Sequence, residues 1–107
     1  MFIIETGMPT HKGAPRPDRL TRSQQRLNAV GSIRRARSRG IPIIGMLDRS
    51  LTDNYEWGSY RPRFRLYSVD VVGDPSLTRV PTDAVETYRN VIASTSGEHR
   101  VCPRYSC

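Results

Sequence analysis

YRPRFRLYSVDVV, residues 60–72, has the strongest strand character in this chain. Aromatic and β-branched residues dominate it, as they do pleated, half-buried backbone. Phe64 and Leu66 share one face. Val69 and Val71 have the opposite parity, which a bulge near Tyr67–Ser68 reconciles. Gly73-Asp74-Pro75 then ends the strand in a turn. Upstream, Ile43, Ile44, Met46 and Leu47 follow Pro42 as a dense apolar run, the pattern of a buried strand. Residues 2–5, Phe-Ile-Ile-Glu, make a third, short strand.

Two helices flank these strands. The first spans 19–39, with Thr21 and Gln24 at capping-box spacing and Asp18 as a competing N-cap. Gly40 suits its C-cap and Pro42 its stop; Gly31 costs it about 1 kcal/mol relative to Ala. The second spans 83–94. Thr82 is its N-cap candidate, Pro81 precedes it, and Asp83 and Glu86 favour its positive start. Ala84, Val85, Tyr88, Val91 and Ile92 fall within an arc of about 120° and face a core.

The predicted fold class is α+β: a small single domain with a three- to four-stranded sheet, a C-terminal amphipathic helix and an N-terminal Arg-rich helix. The expected organisation is a short strand and extended loop or arm over 1–18, with two Gly and three Pro in 7–17. The Arg-rich helix follows over 19–40, a small α+β core over 41–95 and a flexible tail over 96–107. With 107 residues the chain has room for one small domain. No apolar run approaches the roughly 20 residues that span a bilayer, so no transmembrane segment is expected. With no secretory signal visible, the expectation is a soluble intracellular protein, an organelle or a virion remaining open.

Charge points to function. Lys and Arg total 17 against 10 Asp and Glu, a net +7. Sixteen of the 17 are Arg. That bias fits bidentate phosphate recognition, and equally codon usage in a GC-rich genome. Residues 1–40 hold nine basic and two acidic residues, so the whole excess lies there; 41–75 net −1 and 76–107 net +1. Arg22, Arg26, Arg34, Arg35, Arg37 and Arg39 stud the first helix, with Arg22, Arg26 and Arg37 lying among Leu27, Val30 and Ile33. Such a helix suits a phosphate surface, or simple solvation. In 60–67, Arg61, Arg63 and Arg65 project from one side of a strand. Tyr60, and Tyr67 with it, is free to stack on bases. A charged edge strand explains the same row.

The function read from these features is non-catalytic binding of RNA or a ribonucleoprotein, in a ribosome-associated or viral or phage accessory protein. An acidic protein surface, within a complex or virion, is the alternative partner. The order of strand, Arg-rich helix, strands and helix is also loosely similar to that of small ribosome-dependent endonucleases of toxin–antitoxin systems. Those work with Arg, Lys, Tyr or His without a metal, which implies a basic endoribonuclease as a second alternative. Neither GxxxxGK[ST] nor GxGxxG nor G-x-S-x-G occurs. No cofactor is expected. Asp48, Asp53 and Glu56 are three acids within nine residues, suited to acid–base work or to capping a loop. His99, Cys102 and Cys107 are too few and too widely spaced for a structural zinc site. The sequence leaves the oligomeric state open.

Overall fold

Thr21 begins the longest element. Its backbone is extended, its hydroxyl accepts from the Gln24 amide, and the Gln24 side chain accepts from the Thr21 amide. Both halves of a capping box are thus made. The structure, a computed structural model, describes residues 1–11 and 14–95. The order is β1 (Phe2–Ile3), β2 (Thr10–His11), α1 (Arg22–Ser38), β3 (Gly45–Met46), β4 (Pro62–Arg63), β5 (Tyr67–Ser68), β6 (Val80–Pro81) and α2 (Ala84–Thr95). The expected tail at 96–107, with His99, Cys102 and Cys107, lies outside the described residues.

Asp18 does not cap α1. Its carboxylate accepts from Arg16 at 2.7 Å and from the Leu20 amide at 3.1 Å, closing a turn in which Arg19 takes a φ of 58°. The Arg16 guanidinium holds the Asp18 carboxyl down to about 2. A distant acid serves α1 instead: the Asp83 carboxylate accepts from the Ser23 amide at 3.0 Å. Negative charge complements a helix N-terminus, and this contact joins the start of α2 to the start of α1. Thr82, predicted to cap α2, turns its hydroxyl to the Leu66 carbonyl at 2.8 Å.

The expected three- or four-stranded sheet is not formed. Three two-stranded ladders occur among the described residues. β1 pairs with β3 in parallel, Phe2 opposite Gly45 and Ile3 opposite Met46. β2 pairs antiparallel with β4, and β5 antiparallel with β6. The stretch 60–72 therefore splits, and its two halves find different partners. The cause is burial: Phe64, Arg65 and Leu66 are all buried in succession. An uninterrupted strand would send Arg65 to the face opposite its neighbours, so the chain turns at 64–66 instead. Pro62 and Pro81 also lack the N–H that would extend either ladder.

The apolar core comprises Met8, Ile43, Phe64, Leu66, Val69 and Ala84. Arg22, Arg26, Glu56 and Arg65 are buried beside it. The face that α1 turns inward is thus its Arg22–Arg26 face. Arg26 donates to Asp48 from Nε at 2.9 Å and from Nη2 at 2.5 Å, and both side chains are almost fully covered. Burial pushes the Asp48 carboxyl up, against the pull of Arg26. Arg22 donates to Thr10 Oγ1 at 2.7 Å and to the Arg63 carbonyl at 2.9 Å, and desolvation lowers its pKa.

Candidate functional site

Because β1 and β3 run in parallel, their C-terminal ends lie side by side. In parallel-stranded architectures such ends carry the binding and catalytic groups, on the loops that follow. Those loops here begin at residues 4 and 47. The Leu47 amide donates to the Ile3 carbonyl at 2.9 Å and the Arg49 amide to the Thr6 carbonyl at 2.8 Å, zipping the two loop starts together.

Arg49 is the centre of the cluster so formed. Its Nη1 donates to Glu5 Oε2 at 2.9 Å and its Nη2 to Glu56 Oε2 at 2.6 Å. One guanidinium therefore gathers two carboxylates that lie 51 positions apart in sequence. Arg65 holds the other oxygen of Glu56 and also donates to Asn54 Oδ1. Its Nη1 bonds the Arg49 carbonyl at 3.0 Å. Phe64 lies under both guanidinium groups, at 5.1 Å from Arg49 and 5.6 Å from Arg65. Glu56 is buried, whereas the Glu5 side chain is 61% exposed and open to a ligand.

Trp57 completes the site. Glu56 and Ser59 exchange both backbone hydrogen bonds, at 2.8 and 3.0 Å. Trp57 and Gly58 take φ values of 46° and 81° between them. Positive φ at both central residues is the signature of a type I′ turn. Gly58 adopts it freely, but for Trp57 it costs on the order of 1–3 kcal/mol. The strain holds the indole edge-on to Phe64, at 5.7 Å and 80°, while leaving Trp57 79% exposed. The site offers two fixed carboxylates, one accessible, beside a bare aromatic surface. That set recognises hydroxyl groups on an otherwise apolar ring.

Of the three clustered acids, Asp48 and Asp53 are structural. Asp48 answers Arg26. Asp53 accepts from Ser68 Oγ at 3.0 Å and the Val69 amide at 3.3 Å, with Arg63 at 3.5 Å. Only Glu56 enters the site. Sequence reasoning missed Glu5, Arg49 and Trp57. A carboxylate directly after an apolar run and just before Gly7 is the signal that could have found Glu5.

The residues predicted to face nucleic acid do not share a surface. Arg22, Arg26 and Arg65 are buried, and Arg63 turns inward to Ser68 Oγ at 3.1 Å and the Val69 carbonyl at 3.2 Å. Arg34, Arg35, Arg37, Arg39 and Arg61 are exposed. Tyr60 packs edge-on against Tyr55 at 5.1 Å, and Tyr67 is half-buried in β5. No group of three or more His, Cys, Asp or Glu able to hold a metal occurs among the described residues. Nor is any helix there long and apolar enough to cross a membrane.

The family model for glycosyl hydrolase family 1 matches residues 1–97, and the chain belongs to that family. No curated protein matches the sequence. Among solved structures, a β-glucosidase from Thermotoga maritima, in complexes with deoxynojirimycin, noeuromycin and other ligands, superposes with a TM-score of 0.72. Identity is 27%, over 86% of this chain and 21% of that one. An aphid myrosinase matches with a TM-score of 0.67 and 26% identity, over 86% of this chain and 20% of its own. The chain thus spans about a fifth of the length of the structures it matches.

These findings overturn four expectations. The fold is not an independent α+β domain: β1–α1–β3 is a parallel strand–helix–strand unit of the kind that builds a (β/α)8 barrel. The match is to a glycosyl hydrolase family, which overturns the expectation of RNA or ribonucleoprotein binding, with its alternatives of a virion or complex component and a toxin-type endoribonuclease. The expectation of an RNA-binding viral or phage accessory protein falls with it. The expectation of RNA, a ribonucleoprotein or an acidic protein surface as partner is overturned by the same family match. The physical reason is the fate of the arginines: four of the nine that suggested phosphate binding, Arg22, Arg26, Arg63 and Arg65, are spent on internal carboxylates, hydroxyls and carbonyls.

Proposed function

We propose that the chain supplies one wall of a glycosidase site, in which Glu5 faces the reacting carbon of a sugar and Glu56 and Trp57 hold its ring. The observation that carries this is the convergence of Glu5 and Glu56 on Arg49, at the C-terminal ends of parallel strands and beside exposed Trp57. Glycoside hydrolysis uses two carboxyl groups flanking the scissile bond, one of them a proton donor. Glu5 is the accessible carboxylate and suits the nucleophile or base. Glu56, clasped by two guanidinium groups, suits hydroxyl recognition. Both carboxylates accept from guanidinium groups, so the proton donor that this chemistry requires is assigned to residues other than Glu5 and Glu56.

The chain contains a single tryptophan, Trp57, so its fluorescence reports on the site directly. Titration with deoxynojirimycin or glucose should shift the emission saturably. E56Q and E5Q should each weaken binding about tenfold or more, the order expected for a lost charged hydrogen bond. Unchanged emission at ligand concentrations up to tens of millimolar would remove the proposal.

A further inference from the structure

Arg49 occupies the space between the two carboxylates that define the site. Its guanidinium is fixed on two sides: Nη1 and Nη2 are bound to Glu5 and Glu56, and Cζ lies 5.1 Å from the Phe64 ring centre and 6.0 Å from that of Trp57. Its backbone is fixed as well, by the Thr6 carbonyl, by Asp48 Oδ1 at 3.0 Å and by Arg65. At Gly7 an added Cβ would meet Arg49 Cβ at 3.2 Å, so the loop after β1 is moulded to this residue. Its Nε is buried without a partner, which leaves the bonds to Glu5 and Glu56 as the ones that orient the group.

The charges at the site are Glu5 and Glu56 against Arg49 and Arg65. They cancel. Without Arg49 the same carboxylates would carry a net negative charge facing the ligand. A bare carboxylate pair attracts a cationic ring, and it steadies the positive charge that develops on a sugar during glycosidic cleavage. A guanidinium placed between the carboxylates opposes both.

We propose that Arg49 sets the charge selectivity of this site, so that it takes neutral sugars and gains nothing from positive charge on the ligand. The inference rests on the sugar-site assignment made above. It assigns to Arg49 a specificity role that the two carboxylates alone would reverse.

The test compares two ligands that share a six-membered ring and the configuration of its C2, C3 and C4 hydroxyls and hydroxymethyl group, glucose and the N,N-dimethyl quaternary salt of deoxynojirimycin, which is cationic at every pH. Both are titrated against Trp57 fluorescence in the intact chain. In the wild-type chain the cation should bind less than fivefold more tightly than glucose. In R49Q that ratio should rise by about tenfold or more, as expected when one unit charge is removed within a few ångströms of the ligand. R49K keeps the charge and should keep the wild-type ratio. A wild-type preference for the cation of fivefold or more overturns the inference, whether or not R49Q folds. So does an unchanged ratio in R49Q whose circular dichroism and melting are native. If neither ligand binds the wild-type chain, the sugar-site assignment itself fails; binding of both with the wrong ratio refutes the role of Arg49 alone.

Discussion

Arg26 and Asp48 are both nearly inaccessible to water and bind each other through two hydrogen bonds. Removing one member of such a pair strands the other charge, at a cost of about 3–5 kcal/mol. R26M and D48L should each lower the urea unfolding free energy by about that much, whereas the double variant should recover most of it. Additive losses would show that the two side chains act separately. The exposed pair Arg16–Asp18 behaves differently. The Asp18 pKa is depressed to about 2, so its contribution is present above the ordinary carboxylate value near 4 and is lost as pH falls towards 2. D18N should therefore be slightly less stable than the wild type at pH 7, and the difference should vanish at low pH in paired thermal melts. Neither pairing of Arg26 nor that of Arg49 could be read from sequence spacing. Their acids lie 22, 44 and 7 positions away, in other elements, and helical periodicity carries no sign of them. The Arg-rich character of α1 was legible; which arginines turn inward was not.

Local signals were the readable ones at the scale of elements. The capping box of α1 is complete within four residues, and both helices form where the spacing predicts them. T21A should cost about 1 kcal/mol, measured by denaturant unfolding. The strands were harder. Residues 60–72 have one sequence pattern but two partners, β2 and β6, from opposite ends of the chain. β1–β3 depends on close approach: a Cβ on Gly45 would lie 2.5 Å from Phe2 Cε2. G45A should push the ring aside and destabilise the ladder by about 1–3 kcal/mol, the usual cost of overpacking. The pair F2A/G45A should lose less than the sum of the two single variants. Of the site, Glu56 was legible as one of three clustered acids. Glu5 and Trp57 become functional only when parallel pairing sets the two loops side by side.

For the whole molecule, much apolar surface stays outside the small core. Ile4 and Ile44 are 72% and 73% exposed, and Leu47 and Leu51 are also exposed. These residues flank the β1–β3 ladder, whose strands each have one unpaired edge among the described residues. Large apolar side chains exposed beside unpaired strand edges suit contact with another surface. The folded chain should therefore enhance the fluorescence of an apolar dye such as ANS. I44D should reduce that signal while changing stability by no more than about 0.5 kcal/mol, as for other surface substitutions. The parallel pairing of Phe2 with Gly45 also has a consequence for how the chain comes into being. Synthesis proceeds from the N-terminus at about 5–20 residues per second, so β1 is made roughly a few seconds before its partner exists. No local hairpin can shelter it in that interval. On the ribosome, Phe2, Ile3 and Ile4 form an adhesive segment that must be kept from other chains until β3 emerges.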